Sequence, residues 1–165
     1  MNIEFIKKIL SMKPSIYIGE GIISEFGAQI KEKNPINRIN ELENYADYIL
    51  PDEYKKFLLE CDGIQFTTGS ELTLYGISEI IRLNKYIDFI SGIIPIGYCM
   101  EEYIVINCND ICSGKYIYAG DAYCSDEYYS LDCTFNQFLE RYIISNLNNY
   151  WTWFKSEKRY KFVNA

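Results

Sequence analysis

The chain has 165 residues, a formal net charge of −7 and 48% hydrophobic residues, and it contains no histidine. This length suits one domain with its own core, and no apolar run reaches the roughly 18 residues of a membrane span. Without histidine, the usual general base near neutral pH is missing, which excludes most Ser-His and Cys-His hydrolase mechanisms.

The cysteine pattern favours reduced thiols over disulfides or a metal site. Six cysteines are present, but the first ten residues lack the apolar core and the cleavage site of a secretory signal. We therefore expect a cytoplasmic protein, in which thiols stay reduced. Zinc is the alternative, yet no C-x-x-C pair occurs and the spacing of Cys108 and Cys112 is loose for a zinc site. We expect neither a metal nor another cofactor.

The first 34 residues are predicted to form a helical extension. Apolar residues from Ile3 to Leu10 lie on one side of a short amphipathic helix, which Pro14 ends. An extended piece follows up to Gly19. The spacing of apolar residues between positions 22 and 30 predicts a second helix, broken at Asn34-Pro35.

The extended piece Lys13–Gly19, with the sequence KPSIYIG, resembles a signature of small bacterial proteins and of gyrase-type ATPases. Such ATPases also need a Glu/Asn/Asp metal helix and a Gly-rich nucleotide loop. Glu41, Asn44 and Asp47 have the wrong spacing for the former, and no stretch resembles the latter. We do not expect ATP binding.

Residues 49–64 contain the most clearly bounded helix of the chain, and a helix over 36–48 leads into it. Pro51 suits a first helical residue, and Asp52 and Glu53 place negative charge at the positive end of the helix dipole. Apolar residues from Tyr54 to Cys61 recur on one face. Gly63 is expected to take the left-handed conformation that ends the helix.

The second half is predicted to be a β-meander followed by a helix. A hairpin spans 65–74 and a helix spans 77–90. Four short β-branched and aromatic pieces then follow, at 93–98, 103–108, 116–119 and 128–131. A helix over 135–147 comes next, and the alternation at 150–154 favours an edge strand or an interface.

Three stretches, taken in order, resemble the SUKH superfamily (Smi/Knr-like). Residues 39–64 contain I-x-E-L-E followed by L-P-D-E-Y-K-K-F-L-L-E-C-D-G-I, and the other stretches are 74–80 and 134–143. The resemblance implies a single α+β domain whose helices pack on one antiparallel sheet. It divides the chain into the extension (1–34), the SUKH-like domain (35–147) and an aromatic, basic tail (148–165) packed on the same domain.

The resemblance also implies a function, because many bacterial members are immunity proteins that bind and neutralise a cognate toxin. We therefore expect a non-catalytic immunity protein of a polymorphic toxin system. A regulatory scaffold is the alternative, since eukaryotic members are associated with cell-wall regulation. The adjacent carboxylates Glu101-Glu102 and Asp126-Glu127 leave a glycosidase-like enzyme as a third hypothesis, although turn carboxylates are usually only solvated.

The partner-binding residues are predicted from charge and aromatic clustering. Between Cys99 and Thr134, Lys115 is the single cation among many acids and tyrosines. Such a surface repels nucleic acid and attracts a basic protein, so we expect it to cover the active site of a basic toxin. We expect no membrane partner. The predicted contact residues are Glu101, Glu102, Asp110, Tyr118, Asp121, Tyr123, Asp126, Glu127, Tyr128 and Asp132.

Overall fold

A computed structural model describes residues 3–19, 21–33, 36–87, 91–122, 127–154 and 160–161. It confirms the α+β prediction. The α-helices are α1 (Ile3–Met12), α2 (Ile36–Ala46), α3 (Asp52–Glu60), α4 (Ile77–Tyr86) and α5 (Phe135–Ile144). The strands are β1 (Ser15–Gly19), β2 (Ile22–Glu25), β3 (Ala28–Ile30), β4 (Ile64–Phe66), β5 (Thr73–Leu74), β6 (Ile93–Cys99), β7 (Glu102–Asn107), β8 (Ile117–Asp121), β9 (Glu127–Ser130) and β10 (Tyr160–Lys161). Two 3₁₀ helices are η1 (Cys108–Ser113) and η2 (Tyr150–Phe154).

The main sheet has eight strands in the order β10-β9-β8-β7-β6-β5-β4-β3, and each strand runs antiparallel to its neighbours. The predicted meander is therefore confirmed. Side chains alternate between the two faces, as the pleat requires. In β7, Ile104 and Ile106 join the main core beneath the helices, whereas Val105 joins a smaller cluster with Ile93 and Tyr128 on the opposite face. We call that opposite face the outer face.

The predicted second helix over residues 22–30 is wrong, because these residues form β2 and β3. Strand β2 pairs with β1 in a two-stranded hairpin, and β3 pairs with β4 at one edge of the main sheet. Glycines explain the difference. Gly21 has φ +79 at the hairpin turn, a conformation that favours glycine. A Cβ on Gly27 would lie 2.4 Å from Thr67 Oγ1, so the chain crosses the 67–68 loop closely between the two strands.

Carboxylates of α3 and of Asp62, two residues beyond its end, bind the N-termini of three other helices. Glu53 Oε2 accepts a hydrogen bond from the Asn136 backbone N–H of α5 at 3.0 Å. Glu60 Oε2 accepts one from the Ile3 N–H of α1 at 2.9 Å. The first N–H groups of a helix have no intrahelical acceptor and lie at its positive end, so a carboxylate there both accepts hydrogen bonds and balances charge.

The third of these contacts comes from Asp62, just after α3. Its Oδ1 accepts a hydrogen bond from the Ile77 N–H at the start of α4, at 2.8 Å. A Cβ on Gly63, which has φ +100, would lie 2.5 Å from the Leu74 carbonyl oxygen. The Asp-Gly pair therefore joins the end of α3 to the start of α4 through a close backbone approach.

This geometry corrects the predicted role of Gly63. The helix already ends at Glu60, and Cys61 is extended with φ −160. Gly63 thus allows its backbone to lie close to the residues that precede α4, and it does not end α3.

Of the two alternatives predicted for residues 150–154, the edge strand is wrong, because these residues form η2, and the interface stays a prediction. Trp151 is buried there, and its ring centroid lies 5.5 Å from that of Phe138 and 6.2 Å from that of Tyr142 on α5. Packing of the indole on α5 outweighs the local alternation. Helix α5 itself ends at Ile144, earlier than predicted, since Asn146 and Leu147 adopt positive φ of 56 and 60. Helix α4 ends at Tyr86, and residues 88–90 of its predicted range lie outside the described residues.

Loss of the Glu53 carboxylate is expected to destabilise the fold. Glu53→Ala removes the acceptor of the Asn136 N–H and of the Tyr116 hydroxyl, which lies 3.2 Å away. Leaving partly buried donors unpaired typically costs ~1–3 kcal/mol. Urea denaturation should therefore show a free energy of unfolding that is lower by this amount. The control is Glu41→Ala on α2, where an exposed carboxylate pairs with Arg38 and the expected loss is below ~1 kcal/mol. Equal losses in the two variants would contradict the role of Glu53.

Stability is expected to fall at alkaline pH. Burial raises the pKa of the Tyr116 and Tyr142 phenols to about 12, whereas an unfolded tyrosine ionises near ~10. Because the folded pKa values are raised, this stabilisation is complete below pH ~10 and is lost as the pH rises from ~10 to ~12. Urea titrations should show a steep fall in the free energy of unfolding over that range. For Tyr142→Phe, the free energy of unfolding should fall less steeply over the same pH range. An equally steep fall would show that Tyr142 does not contribute to the loss of stability at alkaline pH.

Candidate partner-binding surface

Four of the predicted contact residues meet at one end of the main sheet. The Ala122 N–H, just after β8, donates to the Glu101 carbonyl oxygen in the β6–β7 turn at 3.0 Å, so these two segments lie side by side. Glu102 pairs with Asp121 across β7 and β8. Glu127 begins β9 next to the Gly120–Tyr128 pair, at the same end. We call Glu101, Glu102, Asp121 and Glu127 the acidic rim.

Within the acidic rim, Glu102 has a structural role. One of its oxygens accepts a hydrogen bond from the Tyr129 hydroxyl and the other accepts one from Trp151 Nε1, both at 2.8 Å. Because alternation places Glu102 on the same face as Ile104, its carboxylate points toward the helix layer. Glu102 therefore fixes η2 on the sheet, whereas the side chain of Glu101 is exposed.

Tyrosines lie on the outer face at the same end of the sheet, whereas the register places Glu102, Asp121 and Glu127 on the helix-layer face. Tyr98 and Tyr103 pair across the β6–β7 hairpin, with ring centroids 5.7 Å apart in an edge-to-face arrangement. Beyond them lies Gly120 of β8, where a Cβ would approach the Tyr128 ring to 2.5 Å. Tyr128 thus lies over the gap that the glycine leaves. Tyr128 is fully buried, although it was predicted to contact the partner, so we call Tyr98 and Tyr103 the tyrosine face.

The phenols beside the acidic rim stay protonated near neutral pH. Burial raises the pKa of Tyr103 above its ordinary value. Burial, with the neighbouring Tyr103 and Glu79, also raises the pKa of Tyr75. Neutral hydroxyls can donate hydrogen bonds to a partner without adding further charge.

Sequence reasoning missed both Tyr98 and Tyr103, although a signal for the pair was present. The tight turn at Met100-Glu101 fixes the hairpin register, and that register places Tyr98 opposite Tyr103. Tyr98 lies just outside the acidic segment on which the prediction was based.

Three predicted residues lie away from the acidic rim. Asp110 in η1 accepts hydrogen bonds from the Tyr118 hydroxyl at 2.5 Å and from Asn107 Nδ2 at 2.7 Å. Burial and this bond raise the pKa of Tyr118 to about 12, so the network fastens η1 to β8. Asp132, which precedes α5, forms an exposed ion pair with Lys115 at 3.3 Å. The other two predicted residues, Tyr123 and Asp126, lie outside the described residues.

The described residues offer little for metal or thiol chemistry. They contain no group of three or more potential metal ligands. Cys61, Cys99, Cys108, Cys112 and Cys133 are free, and burial raises the pKa of Cys99 and of Cys133 to about 11. These two thiols are therefore protonated near neutral pH, which makes them poor nucleophiles. In the same part of the chain, no helix is long and apolar enough to cross a membrane.

Comparison with known proteins agrees with this architecture. Residues 35–141, from α2 into α5, match the model of the SMI1 / KNR4 family (SUKH-1). The chain belongs to this family. The resemblance of the three sequence stretches is thereby confirmed, and family membership supports a role as an immunity protein, since the SUKH domain is generally a non-catalytic immunity domain.

Two relatives come from Bacillus subtilis (strain 168), and both are named only as uncharacterized proteins. YobM is 31% identical over 164 residues, which cover 90% of this chain and 88% of YobM. YnaB is 27% identical over 115 residues, covering 68% of this chain and 78% of YnaB. The similarity to YobM thus extends beyond the residues that match the family model.

Two neighbouring glutamates of the acidic rim should behave differently on substitution. Glu102→Gln loses charge-assisted hydrogen bonds to Tyr129 and Trp151, each worth ~1.5–3 kcal/mol. We expect a lower free energy of unfolding and a red shift of tryptophan emission. Glu101→Gln, at the adjacent exposed position, should change neither quantity. Identical behaviour of the two variants would contradict the structural role of Glu102.

Proposed function

We propose that this protein is an immunity protein that binds a cognate toxin and covers its active site with the acidic rim and the tyrosine face. One observation carries the proposal: the bond between Ala122 and Glu101 brings the β6–β7 turn beside the end of β8, so the acids meet at the end of the sheet whose outer face carries the tyrosines. Membership of the SMI1 / KNR4 family supports it.

The charge of the acidic rim favours a basic protein partner. Glu101 is exposed, and Asp121 and Glu127 are half-buried, at the same end of a chain with a net charge of −7. Charges of one sign on a surface accelerate association with an oppositely charged protein and repel phosphate backbones. The toxin is therefore expected to present lysines and arginines around its active site.

The tyrosine face would supply contact area once the partner has arrived. Tyrosine is enriched in interface hot spots because its ring is large and loses little conformational entropy on binding. Tyr98 and Tyr103 are half-buried and already held edge to face, so docking would order them little further. In this proposal the acids govern the association rate and the rings slow dissociation.

Charge reversal tests the acidic rim. Glu101→Lys and Glu127→Lys should slow association with the toxin and weaken the complex, each by ~10-fold or more at low salt. The control is Glu41→Lys on α2, which makes the same charge change outside the acidic rim. Interferometry against candidate toxins encoded beside the gene would give the rates, and co-expression would show whether growth is rescued.

The outcomes separate the proposal from its alternatives. A single salt-sensitive partner that loses affinity for both rim variants but not for the control supports it. Equal affinity for all variants would remove the acidic rim as the binding site. Several weak partners without rescue of growth would favour a scaffold role instead.

A further inference from the structure

A groove of about 610 Å³ is lined by residues of strand β1, the C-terminal end of α5 and η2. Tyr17 of β1, Ile144 of α5 and Trp153 of η2 supply its apolar walls. Ile144 is 81% exposed and Trp153 is 60% exposed, so the groove is open to solvent. Ligand sites in proteins commonly enclose about 300–1,000 Å³, and no residue of the acidic rim or the tyrosine face lines this one. We call it the β1–α5 groove.

The charge of the β1–α5 groove is opposite to that of the whole chain. Its described lining contains one cation, Arg141, and no carboxylate, although the chain has a net charge of −7. Nη1 of Arg141 donates a hydrogen bond to the Leu131 carbonyl oxygen at 3.2 Å, and none of the ion pairs among the described residues involves Arg141. A guanidinium presents several N–H donors in a fork that matches a carboxylate. The groove therefore favours a ligand that carries a carboxylate beside an apolar group.

Strand β1 offers unpaired backbone groups. The Phe26 N–H donates to the Pro14 carbonyl oxygen at 2.9 Å, so the bonded pairs of the β1–β2 hairpin alternate from there and include Ile16 with Ser24. The backbone N–H and C=O groups of Tyr17 consequently point away from β2. In the described part of the chain, no strand pairs with β1 on that side.

The β1–α5 groove lies on this unpaired side of Tyr17. Ile23 of β2 is opposite Tyr17, so the two side chains share one face of the hairpin. Ile23 is 69% exposed, yet it does not line the groove. A strand added on the free side of β1 would place its residue opposite Tyr17 on that same face. The side chain of that residue would then lie in the groove.

From the groove, its cation and the free strand edge we infer that this protein binds an extended, acidic peptide segment of a partner protein. The segment pairs with β1 and packs a large apolar side chain between Tyr17 and Trp153. An aspartate or glutamate two residues away binds Arg141, because alternate residues of a strand share a face. In strand addition of this kind, main-chain hydrogen bonds give affinity and side-chain pockets give specificity.

The same features argue against other ligands. A small aromatic acid would bind Arg141 but would leave the free edge of β1 unpaired. A basic segment, as proposed for the toxin surface, would place its charge against Arg141. Natural edge strands often carry lysine or proline, which prevent pairing, but residues 15–19 are Ser-Ile-Tyr-Ile-Gly. The expected partner is therefore distinct from the toxin in charge and in binding site.

Four synthetic peptides test the inference. The first is acetyl-Thr-Phe-Thr-Asp-Thr-amide, and the second has asparagine in place of aspartate. The other two exchange the phenylalanine with the acid or amide, since either order places both side chains on one face. In NMR titrations of the isotope-labelled full chain, an aspartate peptide should shift the amide signals of Tyr17 and Ile144 and the indole signal of Trp153, with a dissociation constant on the order of 1 mM. Its asparagine counterpart should bind at least ~5-fold more weakly, because it lacks the charge that pairs with Arg141.

Substitutions assign the carboxylate to Arg141. Arg141→Gln should abolish the preference for the aspartate peptide, whereas Arg141→Lys keeps the charge and should retain most of that preference. Trp153→Ser should weaken both peptides by a similar factor, because the indole contacts the apolar side chain that they share. The control is Arg82→Gln on α4, where an exposed arginine lies outside the groove lining, and it should change neither affinity. Circular dichroism should show that all variants fold.

Each outcome decides a part of the inference. Saturable shifts in the β1–α5 groove, with a preference for aspartate that Arg141→Gln abolishes, support it. No shift in the groove with any of the four peptides overturns it, and equal affinity for aspartate and asparagine peptides overturns the assigned ligand chemistry. An aspartate peptide that still binds equally well after methylation of all its backbone nitrogens contradicts pairing with β1. Groove signals that change when the free protein is diluted would assign the groove to a second copy. None of these results bears on the acidic rim.

Discussion

Carboxylates of α3 and of Asp62, two residues beyond its end, hold the N-termini of α1, α4 and α5. Glu60, Asp62 and Glu53 each accept a backbone N–H from the first turn of one of these helices. On the preceding helix, Glu43 accepts the Leu50 N–H at 2.8 Å and pairs with Lys55 at 3.3 Å. The helix layer is thus assembled around α3, because its negatively charged side chains meet the positive ends of its neighbours.

One end of the sheet lies apart from these contacts. With the helices fixed on one face, the β6–β7 turn and the adjoining ends of β8 and β9 lie where none of the hydrogen bonds to Glu53, Glu60 or Asp62 is made. Glu102 links this end to the rest of the fold through Trp151, so the acidic rim has a rigid support. A surface preorganised in this way loses little entropy when a partner binds.

Much of the fold could be predicted from local pattern, because the spacing of apolar residues in most segments matches the helix or strand that the segment forms. The apolar face of α3 and the alternation of β7 are examples. The failures occurred where distant contacts override a local pattern. Residues 22–30 have helical spacing but fold as strands around Gly21 and Gly27, and Trp151 turns an alternating stretch into η2.

The candidate site was harder to predict for a related reason. Charge clustering is a property of the linear sequence, whereas strand alternation and register decide which acids share a surface. Asp110 and Asp132 therefore lie elsewhere than Glu101, and Glu102, Asp121 and Glu127 lie on the helix-layer face. Alternation within β7 shows that Glu102 and Tyr103 lie on opposite faces. Which acids of other strands share a face with Glu102 follows only from the turn at Met100 and the pairing with β8.

Hydrogen exchange of the protein, free and bound to its toxin, would locate the binding surface. We expect slower exchange at residues 99–103 and 119–122 in the complex, with no change along α2 and α4. Protection confined to the helix layer, with unchanged exchange at the β6–β7 turn, would show that the toxin binds elsewhere and would contradict the proposed site.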